Sequence, residues 1–435
     1  MKLVVTGDNI INRRVSNCSD PRFKELVEII EGADIAFANL ETLINDFQGY
    51  PTAIDQGGCL GADEFIADEM KFIGVNIVSR ANNHTLDYGI VGMRKTSDIL
   101  KKRGIVYAGV GENLGQARAP AYLETSQGRV ALISAASSFP SWERAVHARK
   151  DLQGRPGLNP LRFNTTHIVD EESLNSLKKI CSMLKMETFG PGNKWKKPKP
   201  EEFYFLEHLF KIGKEPRIET YVNERDLEEN LAAIKDAKRA ADFVMFSLHV
   251  HEAGAHPFRG PWQKQIVHEI FPRFINDFAH EAIDAGADIF VGHGSHFLRP
   301  IEIYKGKPIF YGLGNFFFHL RSVKKRSSLE YERFDLDPVR STPEDVSDAA
   351  ENLGILSDPV HWETVLPFCT FDDYKLKKIE LYPISLGHGK KRTLLGTPYL
   401  ANEKLGKKII NYYSEMSASY GTKIIYEDSK GMVQL

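Results

Sequence analysis

Short apolar runs alternate with amphipathic segments along most of the chain. The amphipathic segments repeat with the 3.6-residue period of a helix, and the apolar runs have the length of buried strands. The predicted strands are Lys2–Thr6, Ile35–Ala38, Asn76–Arg80, Val130–Ser134, Phe243–Leu248, Ile289–Val291 and Pro308–Tyr311. The predicted helices are Pro21–Glu31, Ala62–Phe72, Met93–Arg103, Glu224–Ala240 and Trp262–Ala285. This alternation predicts an α/β domain with a largely buried sheet.

Two regions interrupt the alternation. Residues 137–223 are poor in strand signals and contain the basic stretch GPGNKWKKPKP, which is typical of a solvated loop. Residues 321–370 open with a charged run and predict a loop-rich excursion. A strand pattern then returns, followed by a helix over about Ala401–Met416 and a strand pair near Gly421–Tyr426. We therefore predict one domain over residues 1–435 that carries two excursions.

Composition narrows the classes of function. The chain has 435 residues, 42% of them hydrophobic and 26% charged, and its formal net charge of -2 gives no basic field for nucleic acid. The four cysteines are far apart, so we expect neither a disulfide framework nor a thiolate zinc site. No apolar run reaches the ~18–20 residues that span a bilayer, and the apolar start of MKLVVTGDNII is too short for a signal peptide. These features predict a cytoplasmic protein without a membrane anchor.

Polar residues follow directly after several predicted strands. In α/β sheets, reactive groups collect beyond the carboxyl ends of the strands, so we expect these residues to share one site. They are Asp8, Glu41, Asn83, His249 and His293.

Histidine is concentrated in two short segments, HVHEAGAH and GHGSH. These hold His249, His251, His256, His293 and His296, out of 14 histidines in the chain. Neutral imidazole is a common metal ligand and also a proton carrier near neutral pH. Together with carboxylate and carboxamide oxygens, imidazoles can hold two divalent ions ~3.5–4 Å apart that activate water. The sequence therefore predicts a reactive centre.

The motifs of these loops occur in a specific combination: GD, NLE, ANNHTLDYG, SLH, GHGSH and PIEIYKGKPIFYGLGNF. In this combination the chain resembles the CapA family, named for capsule and poly-γ-glutamate synthesis, within the metallophosphatase-like (calcineurin-like) superfamily. The resemblance covers about residues 1–135, 242–320 and the tail from 371. It implies a four-layer α/β/β/α sandwich of metallophosphatase type, with both excursions outside the match.

The resemblance also implies roles for individual residues. His84 matches the histidine acid of the superfamily, and one or two divalent ions (Mn, Fe, Zn, Mg or Ca) are implied as cofactors. The implied metal ligands are Asp8, Glu41, Asn83, His249, His293 and His296.

The sequence departs from the superfamily pattern at its first motifs. The usual D-x-H is replaced by Asp8-Asn9-Ile10, and the usual G-D-x-x-D is replaced by NLE. Because these motifs supply fewer ligands, the number of bound metal ions stays open: two, one or none. His251 is an additional imidazole that either replaces a ligand or carries protons.

Three functions remain open. The first is a metal-dependent hydrolase of an anionic peptide, polyglutamate or phosphoester, in which His84 protonates the leaving group. The second is a peptide epimerase, with or without metal, in which Asp8 and His296 exchange protons on opposite faces of a Cα. The third is a binding or assembly protein without turnover. Metal content and the effect of a chelator would separate them.

Three arginines bear on the substrate. Arg80, Arg259 and Arg299 lie close in sequence to the predicted loops, and a guanidinium group binds carboxylate or phosphate through two hydrogen bonds. They predict an anionic substrate, and the alternative for each is an intramolecular salt bridge. We further expect Asp87 to orient His84, and Phe316 to Phe318 to pack in the core.

Overall fold

The computed structural model describes residues 1–54, 57–190, 202–252, 272–351 and 354–435. In chain order, the helices are α1 (Pro21–Glu31), α2 (Ile66–Phe72), α3 (Gly89–Lys102), α4 (Leu114–Arg118), α5 (Glu171–Leu184), α6 (Glu224–Ala240), α7 (Arg273–Ala285), α8 (Ser328–Arg333), α9 (Pro343–Ala349) and α10 (Glu403–Ala418). The strands are β1 (Lys2–Ile10), β2 (Ile35–Leu40), β3 (Leu43–Ile44), β4 (Gly61–Ala62), β5 (Ile77–Ser79), β6 (Val106–Ala108), β7 (Val110–Gly111), β8 (Ala121–Thr125), β9 (Gly128–Ala136), β10 (Gly157–Leu158), β11 (Phe163–Val169), β12 (Phe203–Phe205), β13 (His208–Ile212), β14 (Arg217–Val222), β15 (Phe243–His249), β16 (Ile289–His293), β17 (Leu298–Tyr304), β18 (Lys307–Leu313), β19 (Asn315–Phe318), β20 (Glu363–Asp372), β21 (Lys375–Ser385), β22 (Tyr399–Leu400), β23 (Lys423–Glu427) and β24 (Lys430–Gln434).

Two large sheets organise the molecule. The first has the order β23-β24-β21-β20-β1-β2-β5-β6, with β19 also beside β1 and β22 beside β21. The second has the order β17-β18-β16-β15-β9-β8. The strands β1, β2, β5 and β6 of the first sheet are parallel, as are β9, β15, β16 and β18 of the second. Each sheet therefore has a parallel part whose strand ends can carry a site.

Side-chain alternation along β1 explains how the first sheet is buried. Leu3 and Val5 belong to a core cluster that also contains residues of the second sheet, such as Phe243. Val4 points the other way, into a cluster with Phe23 of α1. Because successive side chains of a strand point to opposite faces, one run of apolar residues can serve two cores. The mixed α/β class predicted from the sequence is confirmed.

Local sequence determines where the helices begin. The side chain of Asp20 accepts a hydrogen bond from the backbone N–H of Arg22, and Pro21 occupies the first turn of α1, where its missing N–H costs little. α1 and α6 begin and end at the predicted residues. Of the predicted helix Trp262–Ala285, residues 272–285 are described, and α7 occupies Arg273–Ala285. No described helix combines the length and apolar character needed to cross a bilayer.

The two predicted excursions contain more regular structure than their sequences indicate. The first holds a separate sheet with the order β12-β13-β11-β14. Its strands are mostly half-buried or exposed, which accounts for their polar sequences. In the second, β20 begins at Glu363, before the expected return of the strand pattern at 371. Pro367 within it lies outside the register that pairs with β1, a position where a strand tolerates proline.

Candidate metal centre

Polar side chains gather where the parallel strands of both sheets end. His249 and His293 are the last residues of β15 and β16 and lie opposite each other in the parallel register. Asp8 lies near the end of β1, Glu41 directly follows β2, and His84 comes after β5. The structure therefore brings the sequence-predicted strand-end residues of two sheets to one place.

The Asp8 carboxylate is fully buried and well supplied with hydrogen bonds. The backbone N–H of Gly294 lies 3.0 Å from each of its oxygens, and the Asn39 side chain donates to Oδ1 at 2.8 Å. The parallel register of β1 shifts just before Asp8, and such an irregularity re-aims a side chain. A Cβ at Gly7 would lie 1.9 Å from the carbonyl oxygen of Gly314, so the close approach of these backbones requires glycine.

Three imidazoles surround Asp8. His296 Nδ1 lies 3.4 Å from Asp8 Oδ2, and His293 Nδ1 lies 3.9 Å from Oδ1. His249 Nδ1 is 3.1 Å from His293 Nδ1. The other nitrogen of His293, Nε2, lies 2.5 Å from the Ser247 hydroxyl. This contact fixes the ring so that its Nδ1 faces the centre.

His296 has a left-handed backbone, with φ of 59°. Such a conformation is unfavourable for a residue with a Cβ and persists where its surroundings hold it. The amide oxygen of Asn315 lies 2.9 Å from Nδ1 of His296, and the amide nitrogen of Asn315 donates to the carbonyl oxygen of His296 at 3.3 Å. The ring of His361 lies 2.8 Å from the same carbonyl oxygen. Asn315 and His361 therefore position this imidazole.

The Glu41 carboxylate is also fully buried, but neither oxygen takes part in a hydrogen bond. Three imidazole nitrogens lie around Oε1: Nε2 of His249 at 3.8 Å, Nε2 of His296 at 3.8 Å and Nε2 of His251 at 4.0 Å. The amide oxygen of Asn83 is likewise buried without a hydrogen bond. A buried carboxylate without donors is energetically costly, and a cation between Glu41 and the three imidazole nitrogens would relieve that cost.

The two carboxylates have opposite pKa shifts. Burial and the negative charge of Asp8 raise the pKa of Glu41 to about 8, although nearby imidazoles oppose the shift. Burial also acts to raise the pKa of Asp8, but hydrogen bonding and the charges of His296 and His293 prevail and lower it to about 2. Burial acts to lower the pKa of His296, but Glu41 and Asp8 raise it to about 9.

The remaining imidazoles of the centre are held neutral. Burial, with the neighbouring imidazoles, lowers the pKa of His249 and of His251 well below the usual value, and burial lowers that of His293 to about 4. Neutral imidazole is the form that binds metal. The side chains of His251 and His296 are 21% and 14% exposed, whereas those of Asp8, Glu41, His249 and His293 are 0% exposed. His251 and His296 therefore mark the open side of the centre.

The imidazole of His84 is paired with the carboxylate of Asp87. Its Nδ1 lies 2.7 Å from Asp87 Oδ2, which also accepts a hydrogen bond from the backbone N–H of Leu60 at 2.6 Å. Burial acts to lower the pKa of His84, but Asp87 and Glu41 raise it overall. The expectation that Asp87 orients His84 is confirmed.

The donor set fits a divalent cation. Within each of three triads, the potential ligand atoms lie within 4.8 Å of one another. The triads are Asp8, His249 and His293; Glu41, His249 and His251; and Asp8, Glu41 and His296. Mixed carboxylate and imidazole donors suit Zn, Fe and Mn, and the unpaired Glu41 oxygens are consistent with a metal ligand.

Arg80 does not contribute to the centre. Its guanidinium group donates to the Ser97 hydroxyl at 2.6 Å and to the carbonyl oxygen of Met93 at 3.1 Å, both on α3. The residue is 2% exposed, and none of these contacts supports the substrate-binding role predicted for it. Among the described residues, Arg80 forms no ion pair, so the alternative of a salt bridge is not realised there either.

Arg299 supports the loop after β15. Its guanidinium group donates to the carbonyl oxygen of Glu252 at 2.6 Å and to that of Val250 at 3.3 Å, on either side of His251. These bonds position the loop, which is not the substrate contact predicted for Arg299. Arg259 and His256 lie outside the described residues.

Several residues that support the centre were missed by the sequence analysis. Asn39 and Asn315 stand within the NLE and LGNF motifs, so their position at strand ends was an available signal. His361 lies in the predicted second excursion, where no pattern indicated it. The Ser137 and Ser138 hydroxyls donate to Glu252 at 2.8 and 2.7 Å, a link that no local pattern reveals.

The chain matches a known protein family and several known proteins. The family described as bacterial capsule synthesis protein PGA_cap matches residues 2–320. The uncharacterized protein y4sH of Sinorhizobium fredii is 38% identical over 100% of this chain and 93% of its own length. The capsule biosynthesis protein CapA of Bacillus anthracis is 25% identical over 73% of this chain and 60% of its own length. The PGA biosynthesis protein CapA of Bacillus subtilis is 23% identical over 86% of this chain and 79% of its own length.

Proposed function

The chain belongs to the PGA_cap family of bacterial capsule synthesis proteins, and on this premise we propose that it is a metal-dependent hydrolase of an anionic substrate. The substrate is an anionic peptide, a polyglutamate or a phosphoester. Relatives named for capsule and PGA biosynthesis favour a polyglutamate among these.

The Glu41 carboxylate is the observation that carries this proposal. It is buried without a hydrogen bond and lies within 4.0 Å of three imidazole nitrogens. When bound, a divalent ion activates water and stabilises the charge that develops on the substrate. The residues that would hold it are Asp8, Glu41, Asn83, His249, His293 and His296.

His84 is the proposed general acid. Asp87 fixes its Nδ1, which leaves Nε2 to donate a proton to the oxygen or nitrogen of the leaving group. Asp87 and Glu41 raise its pKa, which favours the protonated imidazole that a general acid requires. His251, on the open side, is placed to accept a hydrogen bond from the entering substrate or to exchange protons with solvent.

The fold supports the same proposal. Core clusters lie between the two sheets, between the first sheet and α1 and α2, and between the second sheet and α6 and α7. This layering supports a four-layer α/β/β/α sandwich of metallophosphatase type, with the whole chain as a single domain that carries the excursions.

Epimerisation fits this arrangement less well. It needs two proton carriers on opposite faces of a Cα, each about 3 Å from it, and therefore about 6 Å apart. His296 Nδ1 and Asp8 Oδ2 are 3.4 Å apart, so these two atoms cannot lie on opposite faces of one Cα. We therefore favour hydrolysis over epimerisation by this pair.

The proposal is tested on the purified full chain. We expect it to contain divalent metal and to hydrolyse bis(p-nitrophenyl) phosphate or γ-linked glutamate oligomers. Activity should disappear with a chelator and return with one of the metals Mn, Fe, Zn, Mg or Ca. Reactions run in D₂O and followed by mass spectrometry should show no deuterium at a substrate Cα.

Two outcomes would overturn the proposal. Deuterium uptake at a Cα that survives chelation would identify an epimerase. Tight binding of the oligomers without any chemical change, in protein loaded with each metal, would identify a binding or assembly protein.

A further inference from the structure

A basic cleft of about 480 Å³ lies in the first excursion. Its lining contains a single carboxylate, that of Asp226. The chain as a whole has a net charge of -2, so this cleft is a local concentration of positive charge. The basic side chains that line it are Arg144, His147, Arg149, Arg162 and Arg225.

The carboxylates around the cleft are fewer than the basic side chains with which they form ion pairs. Arg162 occupies both oxygens of Asp226, through Nε at 2.7 Å and Nη2 at 2.8 Å. Glu229, beside the cleft, is shared by Arg225 at 2.7 Å, His147 at 2.9 Å and Arg118. These two carboxylates therefore balance only part of the positive charge of their neighbours.

Arg144 is the side chain with unbalanced charge. Among the described residues no acidic group forms an ion pair with it, whereas Arg149 pairs with Asp151 at the exposed rim. The backbone at Arg144 is held in place, because Ala145 donates to the carbonyl oxygen of Leu158 at 2.8 Å and Leu158 donates to that of Glu143 at 2.9 Å. A fixed backbone with an unpaired guanidinium group is suited to an anion from outside the chain.

Like charges also act on His147. Burial, together with the positive charges of Arg225 and Arg118, lowers its pKa. The contribution of the two arginines to this shift is the one expected beside excess positive charge.

One chain segment at the end of β9 links the cleft to the metal centre. Pro160, which lines the cleft, forms a bridge with Ala136 at the end of β9, and β9 is the neighbour of β15. The next residue, Ser137, donates its N–H to the carbonyl oxygen of His249 at 2.9 Å. The Ser138 hydroxyl accepts the N–H of His251 at 2.7 Å. A single chain segment therefore leads from the imidazoles to Arg144.

We propose that this cleft binds a distant carboxylate of the substrate that reacts at the metal centre, so that the substrate is a chain with repeated carboxylates. Arg144 and Arg149 come from one chain segment, and Arg162 and Arg225 come from two others. Each guanidinium group can bind one carboxylate through two hydrogen bonds, so the cleft can hold more than one carboxylate of a chain. The proposal rests on the proposed function only in taking the metal centre as the place of reaction.

Binding to metal-free protein tests the cleft independently of turnover. The probe is a γ-linked glutamate hexamer titrated calorimetrically into the full chain in the presence of chelator. We expect Arg144→Gln to raise the Kd about tenfold, the equivalent of 1.4 kcal/mol for one charged contact, and Arg144→Lys to restore part of the affinity. Arg340→Gln is the matched control, because the Arg340 side chain is 88% exposed and lies outside the cleft.

The control and a second ligand make the proposal falsifiable. An Arg144→Gln variant that binds the hexamer as tightly as the unaltered chain would overturn it, as would an equal loss of affinity in Arg340→Gln. Tighter binding of tripolyphosphate than of the hexamer, dependent on Arg144, would overturn the assignment to carboxylates. Arg144-dependent binding in a protein that hydrolyses nothing would support the cleft and refute the proposed function alone.

Discussion

Asp8 and Glu41 are carboxylates of the same centre, and neither side chain is exposed to solvent. Asp8 accepts hydrogen bonds from the backbone of Gly294 and from the side chain of Asn39. Glu41 accepts none, although three imidazoles lie around it. The protein itself compensates the buried negative charge at Asp8, whereas at Glu41 the proposed cation would supply that compensation.

This difference shows how a site can be both preorganised and dependent on its ligand. Hydrogen bonds to Asp8 hold its oxygens in one geometry before any ion arrives. The absence of such bonds at Glu41 means that its charged form becomes favourable only with a cation, since removing an unpaired charge from water is costly. In the proposed metal centre, the Asp8 end fixes the geometry and the Glu41 end would couple the centre to metal.

The largest expected effect is the loss of turnover when Glu41 is substituted. Glu41→Gln should lower kcat/KM for bis(p-nitrophenyl) phosphate by more than about 100-fold, because losing even an outer partner of a metal ligand costs about 10–100-fold. Metal content measured on the same samples should fall with it. Glu302→Gln is the control, since Glu302 is a carboxylate outside the centre that accepts a hydrogen bond from Tyr311. Full activity and metal content in Glu41→Gln would remove Glu41 from the ligand set.

A smaller effect is expected on stability, where substitutions at Asp8 and at Glu41 should change the free energy of unfolding in different directions. In metal-free protein, Asp8→Asn should lower the free energy of unfolding by about 1–3 kcal/mol, because an amide NH₂ in place of Oδ2 would face the backbone N–H of Gly294 and the charge interaction with His296 would be lost. Glu41→Gln should leave this free energy equal or raise it, since it removes a buried charge without hydrogen bonds. Urea denaturation with chelator at pH 8 measures both. Equal destabilisation by the two substitutions would contradict the comparison.

The smallest effect is the pH dependence of stability in metal-free protein. The pKa of Glu41 is raised from 4.5 to about 8, so its contribution is lost as pH rises between these values, by at most about 1.4 kcal/mol per pH unit. The pKa of Asp8 is lowered from 3.8 to about 2, so its contribution is present above pH 4 and is lost as pH falls toward 2. Unfolding measured from pH 5 to 8 should be less pH-dependent in Glu41→Gln. An unchanged slope would show that Glu41 does not titrate in this range.

The position of the centre was predictable because parallel strands end at one edge. Apolar runs that stop at Asp8, Glu41, His249 and His293 are visible in the sequence, and the buried sheets place those ends together. The direction of a side chain at such an end is harder to predict. The Ser79 hydroxyl lies 2.6 Å from that of Ser134 in the second sheet, so alternation turns the next residue, Arg80, away from that sheet and toward α3.

Two further features could not be predicted from the sequence for a different reason: the missing hydrogen bonds at Glu41, and the basic cleft. Missing hydrogen bonds are a property of packing, and no residue pattern near Glu41 shows them. The guanidinium groups of the cleft come from distant segments, at Arg144, Arg162 and Arg225, and meet only through the bridge at Leu158 and the start of α6. Each of these arginines by itself resembles an ordinary surface residue.

The pairing of β1 with β19 has a consequence for the order in which the protein acquires activity. Asp8 lies in register with Asn315, the residue that holds the His296 ring, so the two halves of the centre meet through a ladder between remote parts of the chain. Contacts of high sequence separation form slowly, because a long loop must close before they contribute stability. During refolding, helices such as α1 and α6 should therefore precede the assembled centre. Regained catalysis would then report the last step of folding rather than the collapse of the core.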